Sequence, residues 1–138
     1  MPDPSNLYET QVSWRAALTT PLTGTARIYL GHADEAGLRL RKVVVIPSTA
    51  VAYSGTNYIT FRPFITTVKD GTPTVRYLGV GRSTAATTLL VDVPYRVHDE
   101  ENFNERLVKG AMVGVDLIVS GTMPASVRAT LQAGLNRG

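Results

Sequence analysis

Val43-Val44-Val45-Ile46, then Pro47, a link of small residues, then Gly55-Thr56-Asn57-Tyr58-Ile59-Thr60-Phe61: the stretch from Arg41 to Phe64 decides the fold. Two strand-like runs flank a break rich in Ser, Thr, Ala and Gly. In the second run Tyr58 and Thr60 face one way and Ile59 and Phe61 the other, the period of two of a half-buried strand. Ahead of the first run, Leu38-Arg39-Leu40-Arg41 alternates as strictly before meeting the continuously apolar Val43 to Ile46, as a strand does on passing from a sheet edge into a sandwich core.

The same grammar extends in both directions. Thr25 to Leu30 alternates, and Gly31 to Gly37 reads as a polar loop. Asn57 to Val68 is a strand with Pro63 inside it, which implies an edge or a bulge because proline donates nothing to a ladder. Asp70-Gly71 is a turn signal, followed by strands at Thr74 to Val80 and Thr87 to Val93. His98-Asp99-Glu100-Glu101-Asn102 reads as an acidic exposed loop, Phe103 to Val108 as a short strand, and Met112 to Ser120 as a strand with Val113, Val115, Leu117 and Val119 on one face. Near the C-terminus Val127, Leu131 and Leu135 also fit a helix, but the strict period of two through Ala129 and Ala133 favours a strand. About eight strands, turn signals at short intervals and no long helical pattern predict an all-β fold, a single antiparallel β-sandwich or jelly-roll-like barrel.

Residues 1–24 are expected to form an extended N-terminal arm ahead of a sandwich domain at 25–138. The arm holds Leu7, Tyr8, Val12, Arg15 and the single tryptophan, Trp14. It is too apolar to remain in water, so it either folds back on its own domain or anchors on a partner; in the second case those five residues are the candidate partner contacts.

At 138 residues the chain is one domain long, and it can bury about two-thirds of its unfolded surface without staples. With no cysteine, disulfides and thiolate metal sites are excluded. The opening residues lack the basic and apolar regions of a signal peptide and no run reaches the length of a membrane helix, so a soluble protein with no membrane partner is expected. A net charge of +3 with Arg and Lys scattered singly, apart from Arg39, Arg41 and Lys42, does not form the basic face interleaved with aromatics that nucleic-acid binding uses.

Catalytic signatures are sparse. His32 and His98 each stand beside carboxylates, but neither has the ligand spacing of a metal site. Gly79-Val80-Gly81-Arg82-Ser83 lacks the Lys-Ser/Thr of a phosphate loop and reads as a tight turn. Asp92 and Asp116 each interrupt an apolar run, on the polar face by alternation, where pairing with Arg is the plain reading. The residues therefore predict no catalytic, cofactor or metal site, and a packing or binding protein.

Three segments carry a resemblance. They are the apolar strand with Pro47, the small-residue link and Gly55 to Phe61; Leu107-Val108-Lys109-Gly110 followed by the Val113-Val115-Leu117 strand; and the Gly121-Thr122-Met123-Pro124 turn with its alternating C-terminal strand. In this order, over about residues 25–135, the chain resembles the small decoration, or cement, proteins of tailed-bacteriophage heads. The resemblance implies a homotrimer on the outer surface of a virion that bridges neighbouring major capsid protein subunits and uses no catalytic residue. The competing expectation is a tail, baseplate or head-fibre β module that binds a host-surface glycan. A cupin-like metalloprotein is disfavoured by histidines placed in loops, and a shell-forming coat protein by length.

Overall fold

The computed structural model describes residues 11–19, 25–52, 54–79, 81–85, 87–98, 104–122 and 127–137. They form ten strands: β1 (Gln11–Thr19), β2 (Thr25–His32), β3 (Leu38–Pro47), β4 (Tyr58–Lys69), β5 (Thr72–Tyr77), β6 (Arg82–Ser83), β7 (Tyr95–Arg96), β8 (Glu105–Arg106), β9 (Met112–Ser120) and β10 (Arg128–Arg137). Sheet A runs β1-β10-β3-β7, with β8 also on β3, and sheet B runs β2-β9-β4-β5, with β6 also on β4. Every pairing is antiparallel.

With the two-residue strands β6 and β8 set aside, the first strand pairs with the last, the second with the last but one, β3 with β7 and β4 with β5, alternately in one sheet and the other. That nesting is the jelly roll. The all-β sandwich expected from the sequence is therefore present, and the C-terminal segment is a strand.

Alternation builds the core. Leu40, Val43, Val45, Leu131 and Ala133 of sheet A and Ile59, Phe61, Val113, Val115 and Leu117 of sheet B are fully buried. Burying a Val, Leu, Ile or Phe side chain contributes about 1.5–3 kcal/mol, so these residues supply a large part of the driving force. Lys69 pairs with Thr72 across Asp70-Gly71, both at positive φ (54° and 79°). That is the two-residue hairpin turn whose twist suits antiparallel strands, and Asp-Gly is among its preferred sequences.

The structure departs from the sequence expectations in several places. Residues 11–19, assigned to the arm, form edge strand β1 along the whole of β10, with Leu18 buried and Val12, Trp14 and Ala16 packed on the core. The sandwich thus already includes Gln11–Thr19, because Val12, Trp14, Ala16 and Leu18 alternate. Residues 1–10 lie outside the described residues. Val44 and Ile46 point away from the core and are half-buried, so the apolar run Val43 to Ile46 is fully buried on one face only; burial along β3 alternates throughout, apart from one bulge.

Pro63 is buried in β4, a central strand, opposite Val115. Its carbonyl accepts from the Leu78 amide (2.9 Å), just past the end of β5. N–H and C=O of one strand residue point to the same side, so the missing donor falls in the gap between β5 and β6, where the sheet is locally an edge. Thr87 to Val93 is a loop held by the Val51–Leu89 bridge, with Asp92 at φ 61° and Leu90, Val91 and Val93 exposed. In the stretch read as a strand from Phe103 to Val108, only Glu105–Arg106 is strand among the described residues 104–108. His98, expected in an exposed loop, is 2% exposed, because the chain turns inward after β7 beside the buried Val97.

At the edge where β1 meets β2, Gly31 makes room for Trp14. A Cβ on Gly31 would stand 2.5 Å from indole Cδ2 and 2.7 Å from Cγ. Gly31→Val is expected to push the indole out and cost about 1–3 kcal/mol, the usual penalty of overpacking. The single tryptophan makes this directly visible: its fluorescence should shift to the red in the folded variant, and an unchanged spectrum would show that Trp14 does not rest on Gly31.

Candidate functional site

The two outer faces of the sandwich are chemically unlike. On sheet B, Arg62, Asp116 and Arg27 stand directly across from one another on β4, β9 and β2. Arg27 Nε and Nη2 donate to Asp116 Oδ1 and Oδ2 at 2.7 and 2.9 Å, a bidentate pair. Tyr77 Oη donates to Oδ2 at 2.6 Å, and Arg27 Nη2 also reaches the Tyr77 hydroxyl at 3.2 Å. The Arg27 hydrogen bonds and then the Tyr77 hydroxyl hold the Asp116 carboxyl below its ordinary range, against a desolvation that raises it. The carboxylate in turn pushes the Tyr77 phenol up and the Arg27 guanidinium up.

Phe64 completes this face. It lies on the outer side of β4, since Pro63 and Ile65 point inward, yet it is fully buried. The ring meets Tyr29 edge-on (5.6 Å, 82°) and Tyr77 (6.3 Å, 69°), with the Arg27 guanidinium 4.5 Å from its centroid. Gly114 provides the floor: a Cβ there would stand 2.5 Å from both Phe64 Cζ and the Ile28 carbonyl oxygen. Arg62 stacks on Tyr77 at 3.9 Å. Both carboxylate oxygens of Asp116 and the Tyr77 hydroxyl are taken up within the Arg27–Asp116–Tyr77 set, so the cluster acts as a lock on the outside of the sheet. The sequence reading that Asp116 pairs with Arg on the polar face holds; its near-complete burial was not expected.

Among the described residues the outer face of sheet A is open. Along β3, Leu38 and Leu40 point inward, then Arg41 and Lys42 are both exposed, then Val43 is buried again. The cause is a bulge: Gly134 pairs with Lys42 and Leu135 with Leu40, leaving Arg41 as the extra residue. The Lys42 stem lies across Gly134, whose absent Cβ would stand 3.0 Å from Lys42 Cγ and Cε. A depression of about 340 Å³ results, lined by Ser13, Arg41, Lys42, Gln132, Gly134 and Asn136, with Val12 and Leu135 at its edge. Pairing brings further cations to this side. Arg39 faces Arg106 across β3 and β8, Arg96 faces Val44, and Arg15 faces Gln132. The one carboxylate in the described strands of this sheet, Glu105, pairs instead with Arg76 of β5 at 2.9 Å.

Of the five residues singled out from the sequence, Leu7 and Tyr8 lie outside the described residues. Arg15 is exposed on the cationic face and Val12 lines the depression, while Trp14 packs on its own domain. His32 is exposed and pairs with Asp34 at 2.8 Å. Among the described residues no three His, Cys, Asp or Glu side chains gather where they could hold a metal. Gly79 and Gly81 both have positive φ, and a side chain at Gly81 would meet the Phe61 carbonyl; Val80, between them in the segment read as a tight turn, lies outside the described residues. Sequence reasoning named the Arg39, Arg41, Lys42 cluster but not the face; two successive polar residues inside an otherwise alternating strand were the available sign of a bulge.

These features define a jelly-roll module with one locked face and one open cationic face. Comparison with protein-family models, with characterised proteins and with solved structures finds no match.

Proposed function

We propose that the chain is a virion structural protein, which decorates the outside of an icosahedral phage head as a homotrimer and stabilises it by bridging major capsid protein subunits. The observation that carries this reading is the open outer face of sheet A, centred on β3 and β10 and free of carboxylates from its own described strands, which suits lying on another protein surface. Exposed Leu90, Val91 and Val93 add apolar contact area. The segments that carry the sequence resemblance fall on β3 and β4, on the turn into β9 and on β10. A clamp of this kind works by linkage: binding the assembled shell more tightly than free subunits shifts the balance toward the shell, by about 2.7 kcal/mol per site at a free concentration one hundred times Kd.

The test mixes purified protein with expanded, undecorated heads and with unexpanded procapsids, pellets the shells and counts bound copies. Saturable binding to the expanded form, in multiples of three and with a raised temperature of rupture, is the expected result. A well-folded protein that binds neither shell overturns the reading and transfers weight to a glycan-binding tail, baseplate or head-fibre module.

A further inference from the structure

The cations on sheet A are arranged in a way that the fold itself does not reward. Arg39 stands directly opposite Arg106, and like charges facing each other across strands destabilise a sheet. Arg15, Arg39, Arg41, Lys42 and Arg106 have no ion pair among the described residues. Protection of sheet edges against aggregation, a common use of surface lysine and arginine, does not account for Arg39, which is paired on both sides, with Asn136 of β10 and Arg106 of β8. The bulge places two cations in succession on the outside, and Gly134 hollows the sheet beneath them. Hydrogen-bonding groups surround the hollow: Ser13, Gln132 and Asn136. No aromatic side chain of the described strands of sheet A lies in these outward rows, so base stacking, which carries single-stranded nucleic-acid binding, has no platform here.

We propose that this face docks on a carboxylate-rich protein surface, and that the hollow between Arg41, Lys42 and Gly134 seats one of the partner's Asp or Glu side chains. The chemistry follows from the face; that the partner is a capsid shell rests on the decoration reading. Cations on a flat sheet steer and orient an acidic partner over distances of about a Debye length, roughly 10 Å at 0.1 M salt, and lose that effect as salt rises.

The probe is fluorescent poly-L-glutamate, followed by anisotropy at low and high salt, with a short DNA duplex and N-acetylneuraminic acid as parallel arms. Wild-type protein is expected to bind polyglutamate in a salt-sensitive manner and to prefer it to the duplex. Arg41→Gln/Lys42→Gln should weaken binding about tenfold, the sum of two exposed charge contacts. Gly134→Val, which fills the hollow without changing charge, should weaken it as well, whereas Lys69→Gln/Lys109→Gln, which removes two cations elsewhere, should not. Thermal unfolding of each variant confirms that it is folded. Equal weakening by the two double variants, tighter binding of the duplex, binding of the sugar acid in place of polyglutamate, or no polyglutamate binding would each overturn the proposal. The same variants on phage heads separate it from the decoration reading. If Arg41→Gln/Lys42→Gln decorates heads as wild type does, this inference fails and decoration stands; if polyglutamate binds through this face but heads are not bound, decoration fails and the acidic-surface inference stands.

Discussion

Phe64→Ala is expected to cost about 3–5 kcal/mol, the range for deleting a fully buried aromatic side chain, although Phe64 points away from the sandwich core. The ring is sealed between Tyr29, Tyr77 and Arg27 and rests on Gly114. Removing it leaves a cavity that a neighbour on a rigid sheet fills poorly. It also removes the surface over which Arg27 is held for Asp116. Against a total stability of about 5–15 kcal/mol for a domain, this single change brings the protein close to unfolding. Denaturant unfolding checks it: the midpoint should fall with little change in slope. A loss under about 1 kcal/mol would show that the outer cluster is a surface decoration of the sheet and not a second core.

Asp116→Asn is expected to cost about 1–3 kcal/mol. Breaking a buried ion pair costs about 3–5 kcal/mol when the surviving charge is trapped, but the Arg27 side chain is 37% exposed and regains water, which lowers the figure. The direction of the pH dependence follows from the carboxyl. Its folded value lies below the ordinary 3.8, held there first by Arg27. Its contribution is therefore complete above the unfolded value and is lost as pH falls through the folded one, so wild-type stability should drop below about pH 4. Asp116→Asn should flatten that acid limb. At the alkaline end the sign reverses: the Tyr77 phenol is raised above 10.0 by Asp116, and its contribution, present below that value, is lost as pH rises through the folded one. Unfolding midpoints across this pH range decide the matter; parallel acid limbs in wild type and Asp116→Asn would remove Asp116 from the account.

Much of the fold was legible because each long strand alternates on its own. β9 and β10 show it most plainly: Val113, Val115 and Leu117, then Ala129, Leu131, Ala133 and Leu135, need no partner to declare their inner face. The Asp70-Gly71 turn was equally local. What sequence reading missed depends on pairings between distant segments. Phe64 sits between Pro63 and Ile65 with nothing in the letters to mark it as outward yet buried; only the glycine at 114, across the β4–β9 pairing, provides the slot. The edge role of β1 rests on β10, more than a hundred residues away in sequence, and so the start of the sandwich was placed too late. His98 is buried by the path of the chain after β7 and not by any pattern around it. The cationic face is the same kind of case: Arg15, Lys42 and Arg106 are remote in the chain and share a surface only because β10 lies beside β1 and β3 lies beside β8. The role of that surface, unlike its composition, was not legible at all from scattered basic residues.

Because β10 is inserted between β1 and β3, the order of synthesis matters. While the ribosome is still making the chain, β1 and β3 have no common sheet; only when residues 128–137 emerge can they be joined. At about 5–20 residues per second, β1 waits on the order of ten seconds for its partner. A chain that ends early therefore lacks the central strand of the cationic surface as well as Gln132, Gly134 and Asn136. Synthesis of residues 128–137 and completion of the cationic surface become one event, and a copy that stops short of them has no strand to join β1 to β3.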